Sequence, residues 1–180
     1  MPLASDRYTL PAIALHALMA VGLIGAIGMG LWVSELPMSP LRLRAINWHK
    51  WAGVTLLALA LLRLAWRAGH RPPAALPMPR WQAQAASAVH GLLYALMLLV
   101  PLLGWSYSNA AGFPVVWFGV LPLPDLLGTD KALAETLKGL HRIAAWTLAL
   151  LIAAHAAAAL KHHFIDKDGL LARMAPGRSA

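Results

Sequence analysis

Histidines 16, 49, 90, 141 and 155 fall inside long apolar stretches of a chain that contains no cysteine. An ionisable side chain held within a membrane is costly, and by default it marks function. Neutral imidazole is a strong ligand for iron, zinc and other transition metals. With no thiolate to compete, it is the obvious axial ligand for a haem; disulfides, iron–sulfur clusters and covalent haem attachment through C-x-x-C-H are all excluded. Three further histidines, His70, His162 and His163, stand in a loop or at the end of the last stretch. Eight histidines against seven acidic residues is an unusual ratio for so apolar a chain.

The elements that must position these rings follow from composition. The chain has 180 residues, 59% of them hydrophobic and 12% charged, with mean hydropathy +0.62. Soluble domains carry about twice that charge, so a soluble enzyme, a secreted disulfide scaffold and a disordered regulator are poor readings. A bilayer-spanning helix needs about 20 mostly apolar residues. Four stretches qualify, at roughly 8–33, 46–67, 84–108 and 137–164. The first has an apolar core too long for a signal peptide and reads as a retained span. Pro101 predicts a bend in the third, and DKALAETLKGL is a plausible helical lead-in to the fourth. Trp32, Trp48, Trp51, Trp66, Trp81 and Trp105 lie near span ends, where interfacial aromatics collect. The expected fold is an all-α, integral membrane four-helix bundle, with residues 1–180 forming one domain.

Depth along the helices pairs the histidines. His16 lies roughly 12 Å from the start of the first span, and His155 roughly 13 Å from the end of the fourth, on the same side of the membrane. His49 and His141 enter their spans from the opposite side. His141 and His155 are fourteen residues apart, close to four turns, and so share one stripe about 21 Å long. The depths suggest two stacked bis-histidine haems, one on His49 and His141, the other on His16 and His155. A zinc or other divalent ion is the competing ligand reading, although none of the spans offers a buried carboxylate to help hold one. A purely structural role, with each ring bonded to a carbonyl, also stays open. His90 lies roughly 9 Å below Gln84; it could replace His16 or His155 as a ligand, or donate a hydrogen bond to a quinone or a haem propionate. His162, two turns beyond His155, suits quinone binding or proton delivery, or else is a solvated helix-end histidine.

The net charge of +8 is read as membrane topology rather than nucleic-acid binding. With the N-terminus cytoplasmic, that side holds Arg7, Arg63, Arg67, Arg71, Arg80, Lys161, Lys167, Arg173 and Arg178, nine cations against six on the other. Both termini are therefore expected inside. The outer group comprises Arg42, Arg44, Lys50, Lys131, Lys138 and Arg142. All but Lys131 surround the proposed outer site, where they could raise the local concentration of a small anion or hold propionates or lipid phosphates.

Taken together, IALHALM, NWHKWAG, VHGLLYALMLLVPLLGW, GLHRIAAWTLALLIAAHAAAALKHHF and the closing KDGLLARMAP resemble the bacterial cytochrome b561 family over nearly the whole chain. The resemblance implies a four-helix inner-membrane protein with two haem b groups that exchanges electrons with ubiquinone. It carries the haem-ligand role to His16, His49, His141 and His155, and a quinone-side role to His162. It also implies a possible superoxide:ubiquinone oxidoreductase, in which superoxide gives its electron to the haems. Two other classes remain: a cytochrome subunit serving a separate dehydrogenase or soluble redox partner, and a non-redox transporter or scaffold. The donor and any protein partner stay undetermined by sequence.

Overall fold

The computed structural model describes residues 7–174; Arg178 and the final Ala-Pro of KDGLLARMAP lie outside them. Four long helices form: α1 (Leu10–Glu35), α2 (Pro40–Gly69), α3 (Arg80–Ala110) and α4 (Lys131–Lys161). Each is long and apolar enough to cross a bilayer. Helix α2 begins six residues before the expected 46. Ser39 caps it by accepting from the Arg42 N–H at 3.3 Å, and Pro40 pre-sets the first turn. Helix α4 takes in the lead-in and starts at Lys131, because Asp130 accepts from the Ala132 and Leu133 N–H groups. Helix α3 continues through Pro101 without interruption.

The helices pack in sequence order, α1 on α2, α2 on α3 and α3 on α4, whereas α4 makes no comparable packing with α1 or α2. Their shared interior is thin. Met19, Leu56, Ala60, Ala144 and Leu148 are buried, while Val21, Ile143 and Leu150 are at least 64% exposed. Apolar side chains so exposed along helices of this length form the surface that faces lipid.

The α3–α4 connection carries a small hairpin, β1 (Val116–Trp117) and β2 (Leu121–Pro122), paired antiparallel. Phe118 and Gly119 both take positive φ at its tip, the conformation that a tight hairpin turn requires. The hairpin is pinned to α2: Trp51 Nε1 donates to the Val116 carbonyl at 2.7 Å and Trp117 Nε1 to Thr55 Oγ1 at 3.2 Å. Beside it, buried Asn109 donates to Asp125 Oδ1 at 2.6 Å and accepts from the Leu126 N–H at 3.0 Å. Replacing Asn109 with alanine strands both partners and is expected to cost about 2 kcal/mol. A thermal unfolding scan of the purified chain should then show a midpoint lowered by several degrees.

At the opposite end, α4 runs into a π-type turn over His162–Asp166 and a 3-10 turn over Leu171–Met174. Arg173 donates to the Ala74 carbonyl and its own carbonyl accepts from the Tyr8 N–H. The 3-10 turn is thus tied to the α2–α3 linker and the segment just before α1.

Candidate functional site

A fourteen-residue interval recurs on every helix: His16 and Gly30 on α1, His49 and Arg63 on α2, His90 and Gly104 on α3, His141 and His155 on α4. Fourteen residues advance a helix by about 21 Å and bring the chain back to within about 40° of the same face. Because neighbouring helices run in opposite directions, these eight residues sort into two layers. Gly30, His49, Gly104 and His141 lie towards the hairpin end. His16, Arg63, His90 and His155 lie towards the termini.

In the hairpin-side layer the His49 and His141 ring centroids are 6.2 Å apart with planes at 85°. His141 Nδ1–H donates to the Val100 carbonyl of α3 at 2.9 Å, which leaves Nε2 with the free lone pair, the form that binds a metal. Glycine makes room for both rings. A Cβ at Gly104 would stand 3.0 Å from His141 Cε1, and one at Gly30 would stand 3.1 Å from His49 Cε1.

In the termini-side layer the His16 and His155 centroids are also 6.2 Å apart, and His90 lies 5.3 Å from His155. Arg63 is within electrostatic reach of all three histidines. Its Nε donates to the Tyr94 hydroxyl at 3.0 Å, and the guanidinium groups of Arg63 and Arg67 lie over the Tyr94 ring.

These distances fit a haem at each level. With metal–nitrogen bonds of about 2.0 Å, two imidazoles on opposite faces of one iron hold their centroids about 6.3 Å apart. Both 6.2 Å pairs meet that figure, and each reaches across to α4 from a helix that packs on it far less than α3 does. His90 stands about 1 Å too close to His155 to be its counterpart across a metal. Its position is beside the pair.

The remaining sequence candidates part company with these layers. His162 turns to acidic partners: its Nδ1 lies 2.5 Å from Asp168 Oδ2 and 3.3 Å from Asp166 Oδ2. Asp168 also accepts the Leu170 N–H, and that bond, followed by the His162 contact, holds its carboxyl below the usual carboxylate range. His70 stacks on Trp66 at 3.8 Å and bonds its carbonyl, closing α2; His163 packs edge-on against Phe164. Of the cations expected around the hairpin-side site, Arg42 bonds the Leu36 carbonyl, Lys50 reaches the Pro114 carbonyl and Lys138 pairs with Glu135. Arg44 and Arg142 have no ion-pair partner among the described residues.

Sequence reasoning passed over Gly30, Gly104, Arg63, Tyr94 and Asp168. Gly22 instead allows α1 and α2 to approach closely, since a Cβ there would stand 2.9 Å from Leu56 Cδ2, while Gly25 and Gly28 have nothing within 4 Å. The fourteen-residue interval, recognised in the sequence on α4 alone, was the signal that would have found Arg63 and the two cradle glycines.

Comparison with known proteins identifies the family. A family model described as prokaryotic cytochrome b561 matches residues 7–177. The chain belongs to the prokaryotic cytochrome b561 family. It is 35% identical over 173 residues to cytochrome b561 homolog 2 of Escherichia coli K12, covering 94% of this chain and 91% of that one. Cytochrome b561 homolog 1 of the same organism is 38% identical over 133 residues, covering 72% and 74%. A probable superoxide oxidase, CybB, of Yersinia pestis is 30% identical over 129 residues, covering 71% and 73%. Cytochromes b561 bind b-type haem and work in electron transport within the bilayer. This member shares that redox class, and its four spans make it a multi-pass membrane protein.

Proposed function

We propose that this cytochrome b561 is a single-domain, dihaem protein of the bacterial inner membrane that moves electrons from superoxide at the periplasmic face to ubiquinone near the cytoplasmic face. The two ring pairs at 6.2 Å carry the reading. His49 and His141 would hold the haem nearer the hairpin, and His16 and His155 the haem nearer the termini. Haem b at these two levels would supply one-electron redox centres stacked across the membrane.

The chain's own residues account for the rest. The excess of cations at the termini supports placing that end in the cytoplasm and the hairpin in the periplasm. Arg44 and Arg142, without ion-pair partners among the described residues, would draw a small anion towards the hairpin-side layer. The likeness to a probable superoxide oxidase supports superoxide as that anion. Two superoxide ions each lose one electron and leave as O2; ubiquinone gains two electrons and two protons. His90, beside the termini-side pair, and His162, at the cytoplasmic end of α4, would serve the quinone by hydrogen bonding and by proton delivery.

The test is to mix the purified, haem-loaded chain with a steady superoxide source and ubiquinone-1. Ubiquinol should form, and superoxide should disappear faster than it dismutates unaided. A chain that is reducible by dithionite yet shows no quinone-dependent superoxide consumption would instead be an electron-transfer subunit for a separate dehydrogenase or soluble redox partner.

A further inference from the structure

The chain reverses sharply after α4, and the reversal has a chemical result. Lys167 takes a left-handed φ of 51° and Gly169 one of 76°. The reversal brings Asp168 back to His162, six residues earlier, with Oδ2 at 2.5 Å from Nδ1. Left-handed backbone is uncommon for a residue with a β-carbon and is held only where the surroundings require it. The carboxylate is fixed from its other side as well, since Oδ1 accepts the Leu170 N–H at 3.0 Å. The second nearby acid, Asp166, stands farther off at 3.3 Å from Nδ1, and both its oxygens are held by Lys161 Nζ at 2.8 and 2.6 Å. Asp168 is therefore the carboxylate committed to His162.

We infer that Asp168 is a positioning residue for quinone protonation, fixing the His162 ring through Nδ1–H so that Nε2 is the nitrogen that exchanges protons with bound quinone. The inference rests on the proposed quinone role of His162. A carboxylate on one imidazole nitrogen sets the tautomer and the ring orientation. When reduced quinone takes up a proton, the Nε2–H bond breaks and an O–H bond forms on the quinone oxygen. The ring is left neutral, with Nδ1–H still held by Asp168. Water at the membrane face then returns a proton to Nε2, and a second cycle supplies the second proton of the quinol.

The experiment isolates the quinone half of the reaction. Full-length, haem-loaded protein is reduced with dithionite and mixed with ubiquinone-1 in a stopped-flow cell, and haem reoxidation is followed. Binding of ubiquinone-1 is measured separately by quenching of tryptophan fluorescence. Asp168→Asn should lower the maximal reoxidation rate roughly tenfold, with haem content and ubiquinone-1 affinity unchanged. Asp168→Glu should recover most of the rate. In a His162→Gln background, Asp168→Asn should have no further effect, since the two residues act as one unit.

A wild-type rate in Asp168→Asn, with His162→Gln slow, overturns the inference and leaves the quinone reading standing. Loss of affinity or of haem in Asp168→Asn, or a further slowing in the His162→Gln background, also overturns it, by showing that Asp168 acts on the fold or on another group. A wild-type rate in His162→Gln removes the quinone role of His162 itself, and the inference falls with it.

Discussion

Replacing His141 with alanine should lower the haem content from the proposed two per chain to one, and replacing His155 should remove the other. The ring pairs are independent. His49 faces His141 and His16 faces His155, each at 6.2 Å, on layers about 21 Å apart along α4. Without one imidazole, the gap between α4 and its partner helix would offer a ligand on one side only. Haem extraction and quantification against protein reads the effect directly. In His155→Ala the surviving haem should keep the spectrum of the hairpin-side site. His90→Ala should keep both haems, because its ring stands beside His155 at 5.3 Å rather than across a metal from it. Loss of a haem in His90→Ala with full retention in His16→Ala would reassign the termini-side ligand.

Gly104→Val is expected to abolish the hairpin-side haem as completely as removing His141. A valine side chain at this position begins with a Cβ 3.0 Å from His141 Cε1 and 3.2 Å from Nδ1, closer than side chains pack without one of them moving. The ring cannot easily yield, since Nδ1–H is anchored to the Val100 carbonyl on the same helix as the glycine. Overpacking of this kind costs about 1–3 kcal/mol at the contact, while valine is a slightly better helix former than glycine, by a few tenths of a kcal/mol. The helix therefore survives and the imidazole is displaced. Far-UV circular dichroism should be unchanged while haem content falls from two to one. Gly139→Ala provides the control, because it lies two residues from His141, on the opposite side of α4, and a Cβ there meets nothing within 4 Å. Retention of both haems in Gly104→Val would show that the His141 position is not the one that binds.

What could be read from the sequence was depth, and what could not was azimuth. A rise of 1.5 Å per residue is enough to set His16 level with His155 and His49 level with His141. It does not say which way α1 and α2 are rotated about their axes, and that rotation decides whether the rings meet. The four spans were legible because about 20 apolar residues have few other uses. The start of α2 was harder, since it depends on the Ser39 cap and Pro40 rather than on apolar periodicity. The hairpin at Val116–Pro122 rests on Phe118 and Gly119 sharing positive φ, a conformation that a phenylalanine does not advertise. Asp168 was invisible for the same reason: its reach to His162 depends on a left-handed lysine at 167. Arg63 was visible as a charge, but it was counted towards topology. Its place fourteen residues from His49 puts it in the layer of His16, His90 and His155.

The full chain, purified from a haem-sufficient host, should be titrated for haem b against protein by the pyridine haemochrome method, with low-temperature EPR on the same sample. Two haems per chain, both low-spin with bis-imidazole signatures, is the expected result. A ratio of one or none, or a high-spin signal from an iron with one open axial position, would contradict the two-layer histidine account.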